Sequence, residues 1–133
     1  MMEDMNGVIL IGHKEVFTLD LIRKWTHPEQ TDYFDLKALN QITVYFGDGQ
    51  FYYLESPNFV EEFDPGELDV IGIPVEEMNF ILLNYDTYSR LKKVLLANEG
   101  MIPEGIWLDN DRGLLKPIGD FITKWKENPK WKW

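Results

Sequence analysis

The chain has 133 residues, of which 44% are hydrophobic and 14% aromatic, and its formal net charge is −10. These apolar side chains are sufficient for one hydrophobic core, which excludes an intrinsically disordered chain. Because the sequence contains no cysteine, it also excludes disulfide scaffolds, thiol nucleophiles and cysteine-bound zinc or iron–sulfur centres. We expect residues 1–133 to form a single domain.

The N-terminal region carries no targeting signal that we recognise. Residues 1–5 are acidic where a secretory signal would be basic. The apolar run at residues 8–11 is too short to cross a membrane, but it is typical of a strand buried on both faces. We therefore expect a cytoplasmic protein with no membrane association. A helical spacing follows over residues 18–26 and ends before Pro28, and a second short helical turn is predicted over residues 33–39.

The middle of the chain combines strand signals with a long irregular segment. Residues 42–46 and 51–54 are aromatic and β-branched runs that flank a Gly-Asp-Gly sequence, which indicates a β-hairpin. Proline and glycine then predict mostly loop over residues 55–79, with a brief extended piece at residues 70–71. Another buried strand is predicted at residues 80–83.

The last third of the chain is predicted to be helix, hairpin and helix. Asp86 is the predicted N-cap of a helix that runs to Glu99 and is closed by Gly100. Apolar residues at 106–108 and 114–115 flank a polar turn and are expected to pair. The final helix is predicted to begin near a proline, with this buried stripe: Ile118, Phe121, Ile122 and Trp125.

This order of elements favours an α+β fold with a mostly antiparallel sheet and two to four helices packed on one face. Strict alternation of strand and helix is missing, so a small, doubly wound α/β sandwich is the alternative.

Charge is distributed unevenly along the chain. Residues 38–89 contain ten acidic residues and no lysine or arginine, and eight of the ten lie in the segment 55–77, which we call the acidic loop. Carboxylates interleaved with large apolar side chains are typical of a surface that steers a basic partner and fills its pockets. The residues predicted to contact such a partner are Glu55, Phe59, Glu61, Glu62, Phe63, Asp64, Glu67, Leu68 and Asp69. The alternative is that the apolar members anchor the loop to the domain while the acids stay solvated.

The C-terminal tail, residues 129–133, alternates lysine with tryptophan. Its predicted contact residues are Lys130, Trp131, Lys132 and Trp133. Such a strip can stack on nucleic acid or lie at a membrane interface, but the acidic body behind it disfavours both. We expect the tail to dock on the acidic surface of its own chain or of a second copy.

Motifs for catalysis or metal binding are scarce. His13 and His27 lack ligand spacing, and neither Ser56 nor Ser89 lies in a nucleophile elbow. The acidic turn at residues 109–113 lacks the glutamate that an EF-hand requires. The sequence therefore predicts no catalytic residue, no bound metal and no cofactor.

These observations favour a non-enzymatic acidic protein that binds a basic protein, for example an immunity-like or antitoxin-like inhibitor or a mimic of DNA charge. Direct binding of nucleic acid is not expected, and homo-oligomers are compatible with the sequence. Two alternatives stay open. One is a small carboxylate-dependent hydrolase, with or without a metal ion held by the loop acids, and the other is a structural or accessory protein of a mobile element.

Overall fold

The computed structural model describes residues 6–133, so the acidic segment 1–5 lies outside the described residues. The strands are β1 (Asn6–His13), β2 (Gln30–Leu36), β3 (Gln41–Phe46), β4 (Gly49–Glu55), β5 (Met78–Tyr85), β6 (Trp107–Asp109) and β7 (Leu115–Pro117). The α-helices are α1 (Leu19–Ile22), α2 (Tyr88–Ala97) and α3 (Ile118–Glu127).

The seven strands form one sheet in the order β2-β3-β4-β5-β1-β6-β7, and every neighbouring pair is antiparallel. The predicted α+β class with an antiparallel sheet is therefore confirmed, and the alternative of a doubly wound α/β sandwich is wrong. No helix within residues 6–133 has the length and apolar content needed to cross a membrane.

The strand β1 lies in the interior of the sheet, between β5 and β6. β1 pairs with β5 along its whole length, from Asn6 opposite Tyr85 to His13 opposite Met78. Val8 and Leu10 belong to the core on one face, whereas Ile9 and Ile11 belong to the core on the other face. The prediction of a strand buried on both faces is confirmed.

All three α-helices pack on the face that carries Val8 and Leu10, which we call the helix face. The residues that they bury there are Leu19 and Ile22 of α1, Leu91, Val94 and Leu95 of α2, and Ile118, Phe121, Ile122 and Trp125 of α3. The predicted stripe of the last helix is thus buried in full. Gly12 permits Ile106 and Phe17 to pack closely on this face, because a Cβ atom there would lie 2.5 Å from the Ile106 side chain and 2.8 Å from the Cβ of Phe17.

The acidic loop covers the opposite face of the sheet, which we call the loop face. Its apolar residues Leu68 and Ile71 join Ile9, Ile11 and Phe80 in a second buried cluster. The sheet therefore has a core on each side, one closed by helices and the other by a loop of 23 residues at positions 55–77.

One predicted element is wrong in its first part, and another is wrong throughout. Residues 33–39 form the end of β2 and a single 3-10 turn, Lys37–Leu39, because Tyr33 and Phe34 pair with β3 and so follow the two-residue period of a strand. Residues 70–71 are not extended but end a 3-10 helix, Glu67–Ile71, which has a glycine in the left-handed region at each end.

Two helix boundaries also differ from prediction. The helix predicted over residues 18–26 ends at Ile22, and the one predicted to start at Asp86 has Thr87 as its N-cap. Thr87 Oγ1 accepts a hydrogen bond from the backbone N–H of Arg90 at 3.2 Å, while the Asp86 carboxylate binds the Arg90 guanidinium instead. At the other end, α2 closes on the buried Asn98 rather than on Gly100.

Candidate functional site

The acidic loop is built from short 3-10 helices that connect β4 to β5. They are Pro57–Glu62, Glu67–Ile71 and Val75–Glu77. The first begins at Ser56, whose Oγ accepts a hydrogen bond from the backbone N–H of Asn58 at 3.1 Å. The second lies between Gly66 and Gly72, with φ angles of 86° and 78° that a residue with a side chain rarely adopts. The loop is therefore a folded surface rather than an irregular connection.

The apolar residues of the acidic loop anchor it to the loop face. Leu68 is 5% exposed and Ile71 is 9% exposed. Phe59 and Phe63 are partly buried against the same cluster, and the Phe63 ring lies 6.0 Å from that of Phe80. The anchoring role that the sequence left as an alternative is thus present. Leu68 faces the core of its own chain, and only the outer parts of the two phenylalanine rings remain for a partner.

Five of the predicted contact residues are exposed carboxylates on this anchored loop. They are Glu61, Glu62, Asp64, Glu67 and Asp69. None of the five forms an ion pair with a lysine, arginine or histidine of residues 6–133. Their one described contact is the Glu67 Oε1 atom, which accepts a hydrogen bond from the backbone N–H of Asp64 at 2.8 Å. The fold thus brings these charges together without neutralising them.

Glu55 belongs to the opposite side of the sheet. It pairs in register with Ile81, whose side chain is in the core of the helix face. Its Oε2 atom accepts hydrogen bonds from the backbone N–H of Leu19, at 3.1 Å, and from the Asn79 amide, at 2.7 Å. The carboxylate therefore stabilises the start of α1, and the sheet separates it from the other acids of the loop.

Asp109 extends the acidic surface, and sequence reasoning missed this residue as part of it. It lies in β6 opposite Ile9 and is 8% exposed. Burial, together with the negative charges of Asp111 and Glu67, raises the pKa of the Asp109 carboxyl to about 6. The sequence did show the acidic turn, but no local signal indicates that the turn lies beside Glu67.

The two histidines are held by contacts within the fold. His13 Nδ1 accepts a hydrogen bond from the backbone N–H of Glu15, so its ring hydrogen is on Nε2, which lies 2.9 Å from a Glu77 carboxylate oxygen. His27 is buried, with its Nε2 atom 2.7 Å from the Tyr53 hydroxyl, and burial lowers its pKa to about 4. Each imidazole is already committed to internal partners.

Three surface cavities are described between residues 22 and 132. One lies between the segment 102–106 and α3, a second is lined by His27 and Tyr33, and the third lies beside the tail. None of the three is lined by a carboxylate of the acidic loop or by Asp109. Within residues 6–133, no three histidine or carboxylate side chains gather as metal ligands would.

The tail docks on the helix face through aromatic contacts, which differs from the expected docking on the acidic surface. The Trp133 ring lies 4.8 Å from that of Tyr88 and 5.2 Å from that of Phe121. The Trp131 ring lies 6.2 Å from that of Phe121 and 6.4 Å from that of Trp125. These contacts leave Lys130 and Lys132 exposed beside the helices.

The comparisons found no matching family model, no matching curated protein and no matching solved structure. The geometry of the surface is therefore the basis for a functional conclusion.

Proposed function

We propose that this chain is a non-enzymatic acidic protein of the cytoplasm that binds a basic protein through the acidic loop. The observation that carries the proposal is the set of five exposed carboxylates at positions 61–69 that lack a cationic neighbour among residues 6–133. An inhibitor that covers the nucleic-acid cleft of a basic protein, in the manner of an immunity protein or a mimic of DNA charge, needs such a surface.

The electrostatics of Asp109 support this proposal. Burial is the largest cause of its raised pKa, and the negative charges of Asp111 and Glu67 add to the rise. A lysine or arginine of a partner placed at this edge of the loop would lower the electrostatic free energy of several carboxylates at once. The same uncompensated field attracts a basic partner from a distance and raises the association rate.

The anchoring of the loop also supports it. Because Leu68 and Ile71 are buried and Gly66 and Gly72 fix the turns, the carboxylates are held in place before a partner arrives. Binding then costs less conformational entropy than it would for a flexible acidic segment.

An uncovered part of the loop face, on β2 and β3, carries exposed aromatic residues. Phe34 pairs with Thr43, which lies between two residues buried on the helix face, so Phe34 projects from the loop face. Phe34 is 55% exposed, and Tyr45 on the same face is 38% exposed. Exposed aromatic residues are enriched at the energetic centres of protein interfaces.

The test is capture of partners from a lysate of the native host, with the tagged protein as bait, at about 50 mM and about 500 mM salt, because salt screens charge-steered contacts. A triple variant, Glu61→Gln with Glu62→Gln and Asp64→Asn, removes three loop charges and leaves the Glu67 hydrogen bond intact. The matched control, Glu15→Gln with Glu104→Gln and Glu127→Gln, removes three exposed acids elsewhere.

We expect one basic protein in stoichiometric amount, bound by the wild type and by the control and lost with the loop variant. The purified pair should then show an affinity at least roughly tenfold weaker for the loop variant, the loss expected for three charge contacts. A bait that captures no basic protein at either salt concentration, or a partner that binds both variants equally, would refute the proposal.

A further inference from the structure

The helix face carries a cationic groove that the proposed function does not use. It is a cavity of about 320 Å³ between the start of α2 and the tail. Its lining includes Tyr88, Ser89, Lys92, Lys130, Trp131 and Lys132. No acidic side chain lines it, although the chain as a whole has a net charge of −10.

The three lysines of this groove keep their charge uncompensated. Lys93 is paired with Glu29, and Lys126 is paired with Glu99. Lys92, Lys130 and Lys132, in contrast, have no carboxylate within 4.0 Å in residues 6–133. Three ammonium groups around one hollow repel each other, and an anion placed between them relieves that repulsion.

Neutral groups hold two of these lysines in place. The Lys92 ammonium donates a hydrogen bond to the backbone carbonyl of Pro129. The Lys132 ammonium lies 5.2 Å from the centre of the Tyr88 ring. Because a carbonyl and an aromatic ring carry no net charge, these contacts orient the cations without cancelling them.

The tail that supplies half of the groove is itself fixed. The backbone N–H of Trp131 donates to the Asn128 carbonyl at 2.8 Å, and that of Lys130 donates to the Asn128 side chain at 3.1 Å. The packing of Trp131 and Trp133 on Tyr88 and α3 adds to this. The groove therefore exists before any ligand binds.

The start of α2 adds further donors for an anion. Tyr88 and Ser89 are the first two residues of this ten-residue helix, so their backbone N–H groups have no partner within it. The Ser89 hydroxyl is an additional donor at the groove wall.

We propose that this groove binds the phosphate group of a small molecule and that Tyr88 and Trp131 contact its organic part. A phosphate is matched by three ammonium groups together with hydroxyl and amide donors. The cavity of about 320 Å³ is larger than one phosphate, which leaves room for an organic group against the aromatic rings. A long polyanion is disfavoured, because most of its charge would lie outside the groove in the field of a body of net charge −10.

The test is titration of the isotope-labelled protein with inorganic phosphate and with phenyl phosphate, at constant ionic strength, followed by NMR. The reporters are the indole N–H of Trp131 and the backbone N–H of Ser89. We expect saturable shifts at both reporters with one site per chain. Phenyl phosphate should bind more tightly, by roughly tenfold, because its ring gains apolar contact with the aromatic lining.

The variant Lys130→Gln with Lys132→Gln should weaken the binding of both ligands by about tenfold or more, since two charged contacts are lost. Its control is Lys93→Gln with Lys116→Gln, two exposed lysines outside the groove, which should bind as the wild type does. Circular dichroism checks that both variants are folded.

Several results would overturn the proposal. Shifts that do not saturate, or that chloride reproduces at the same ionic strength, would mean that the groove only attracts counterions. Unchanged binding by the Lys130 and Lys132 variant would mean that the phosphate binds elsewhere. Equal affinities for the two ligands would mean that Tyr88 and Trp131 do not contact the organic part of the ligand. Tighter binding of a short oligothymidine than of phenyl phosphate would point to nucleic acid instead of a small molecule.

Discussion

Asp109 and His27 are buried titratable residues for which the fold favours the uncharged form. The pKa of Asp109 is raised to about 6, and that of His27 is lowered to about 4. Burial is the largest cause for both residues. Their effects on stability run in opposite directions, because the neutral form of Asp109 is protonated whereas the neutral form of His27 is deprotonated.

Replacing Asp109 with Asn should stabilise the protein at neutral pH. The wild-type carboxyl has a folded pKa above its ordinary value of 3.8, so it contributes stability below pH 4 that is lost as the pH rises through 6. Asp109→Asn removes this loss, and we expect a free energy of unfolding higher by about 2 kcal/mol at pH 7.5. Urea denaturation at pH 7.5 and at pH 4 measures the difference, and the gain should be nearly absent at the lower pH. An equal gain at both pH values would show that the titration of Asp109 is not its cause.

His27 should make the protein less stable in acid. Its folded pKa lies below its ordinary value of 6.5, so its contribution to stability is present above pH 6.5 and is lost as the pH falls through 4. His27→Gln should be less stable than the wild type at pH 7, by about 1 to 2 kcal/mol, because the Tyr53 hydroxyl loses a well-placed partner. The free energy of unfolding of His27→Gln should change less between pH 6.5 and pH 4 than that of the wild type.

Denaturation of both proteins in an Asp109→Asn background isolates the His27 effect from the opposite effect of Asp109. If the free energy of unfolding changes equally with pH in the presence and absence of His27, another group titrates in this pH range.

At the scale of elements, the acidic loop depends on a few apolar anchors. Leu68→Ala should destabilise the loop by about 2 kcal/mol, because it leaves a cavity under the 3-10 helix Glu67–Ile71. We expect faster amide hydrogen exchange in residues 57–71 and weaker binding of the basic partner, although every carboxylate remains. Val70→Ala is the matched control, since Val70 lies on the same 3-10 helix and is 62% exposed. Equal exchange rates in the two variants would show that the loop does not need this anchor.

Elements whose signal lies within one segment could be predicted from the sequence. The apolar stripe of α3, the hairpin of β3 and β4, and the strand β5 depend on local spacing and turn residues, and the structure contains them. The helical prediction for residues 33–36 was wrong because their strand conformation comes from pairing with β3. The prediction of where α2 ends was wrong for a similar reason. Asn98 exchanges hydrogen bonds with the backbone of Thr26, which is far away in the sequence.

In the candidate site, too, local features could be predicted from the sequence, whereas contacts between distant segments could not. The run of acids and its apolar anchors were visible as a local pattern. The nearness of Asp109 to Glu67, the separation of Glu55 from the other acids and the groove beside Ser89 all depend on how distant segments meet. Tertiary packing fixes these relations, and no spacing rule for a single segment includes them.

At the scale of the whole molecule, the sheet separates two surfaces of opposite local charge. The exposed loop carboxylates lie on one face, and the lysine groove lies on the other. Neither surface can neutralise the other within one chain, so each remains available to a ligand of its own.

The excess of negative charge should make stability depend on salt. Screening weakens repulsion between carboxylates as the Debye length falls from about 30 Å at 0.01 M to about 8 Å at 0.15 M. We expect the free energy of unfolding to rise over this range of sodium chloride. The triple loop variant should be more stable than the wild type at the lower salt concentration. This difference in the free energy of unfolding should shrink at the higher salt concentration. A difference that salt does not change would assign the effect to local contacts rather than to charge.

The interior position of β1 has a consequence for how the chain folds as it is synthesised. β1 is synthesised before its neighbours β5 and β6, which end at Tyr85 and Asp109. While the ribosome adds these residues, Val8–Ile11 has no partner strand, whereas β3 and β4 can pair as soon as they emerge. The sheet is therefore completed late, and the N-terminal strand is the segment most exposed to wrong pairing until then.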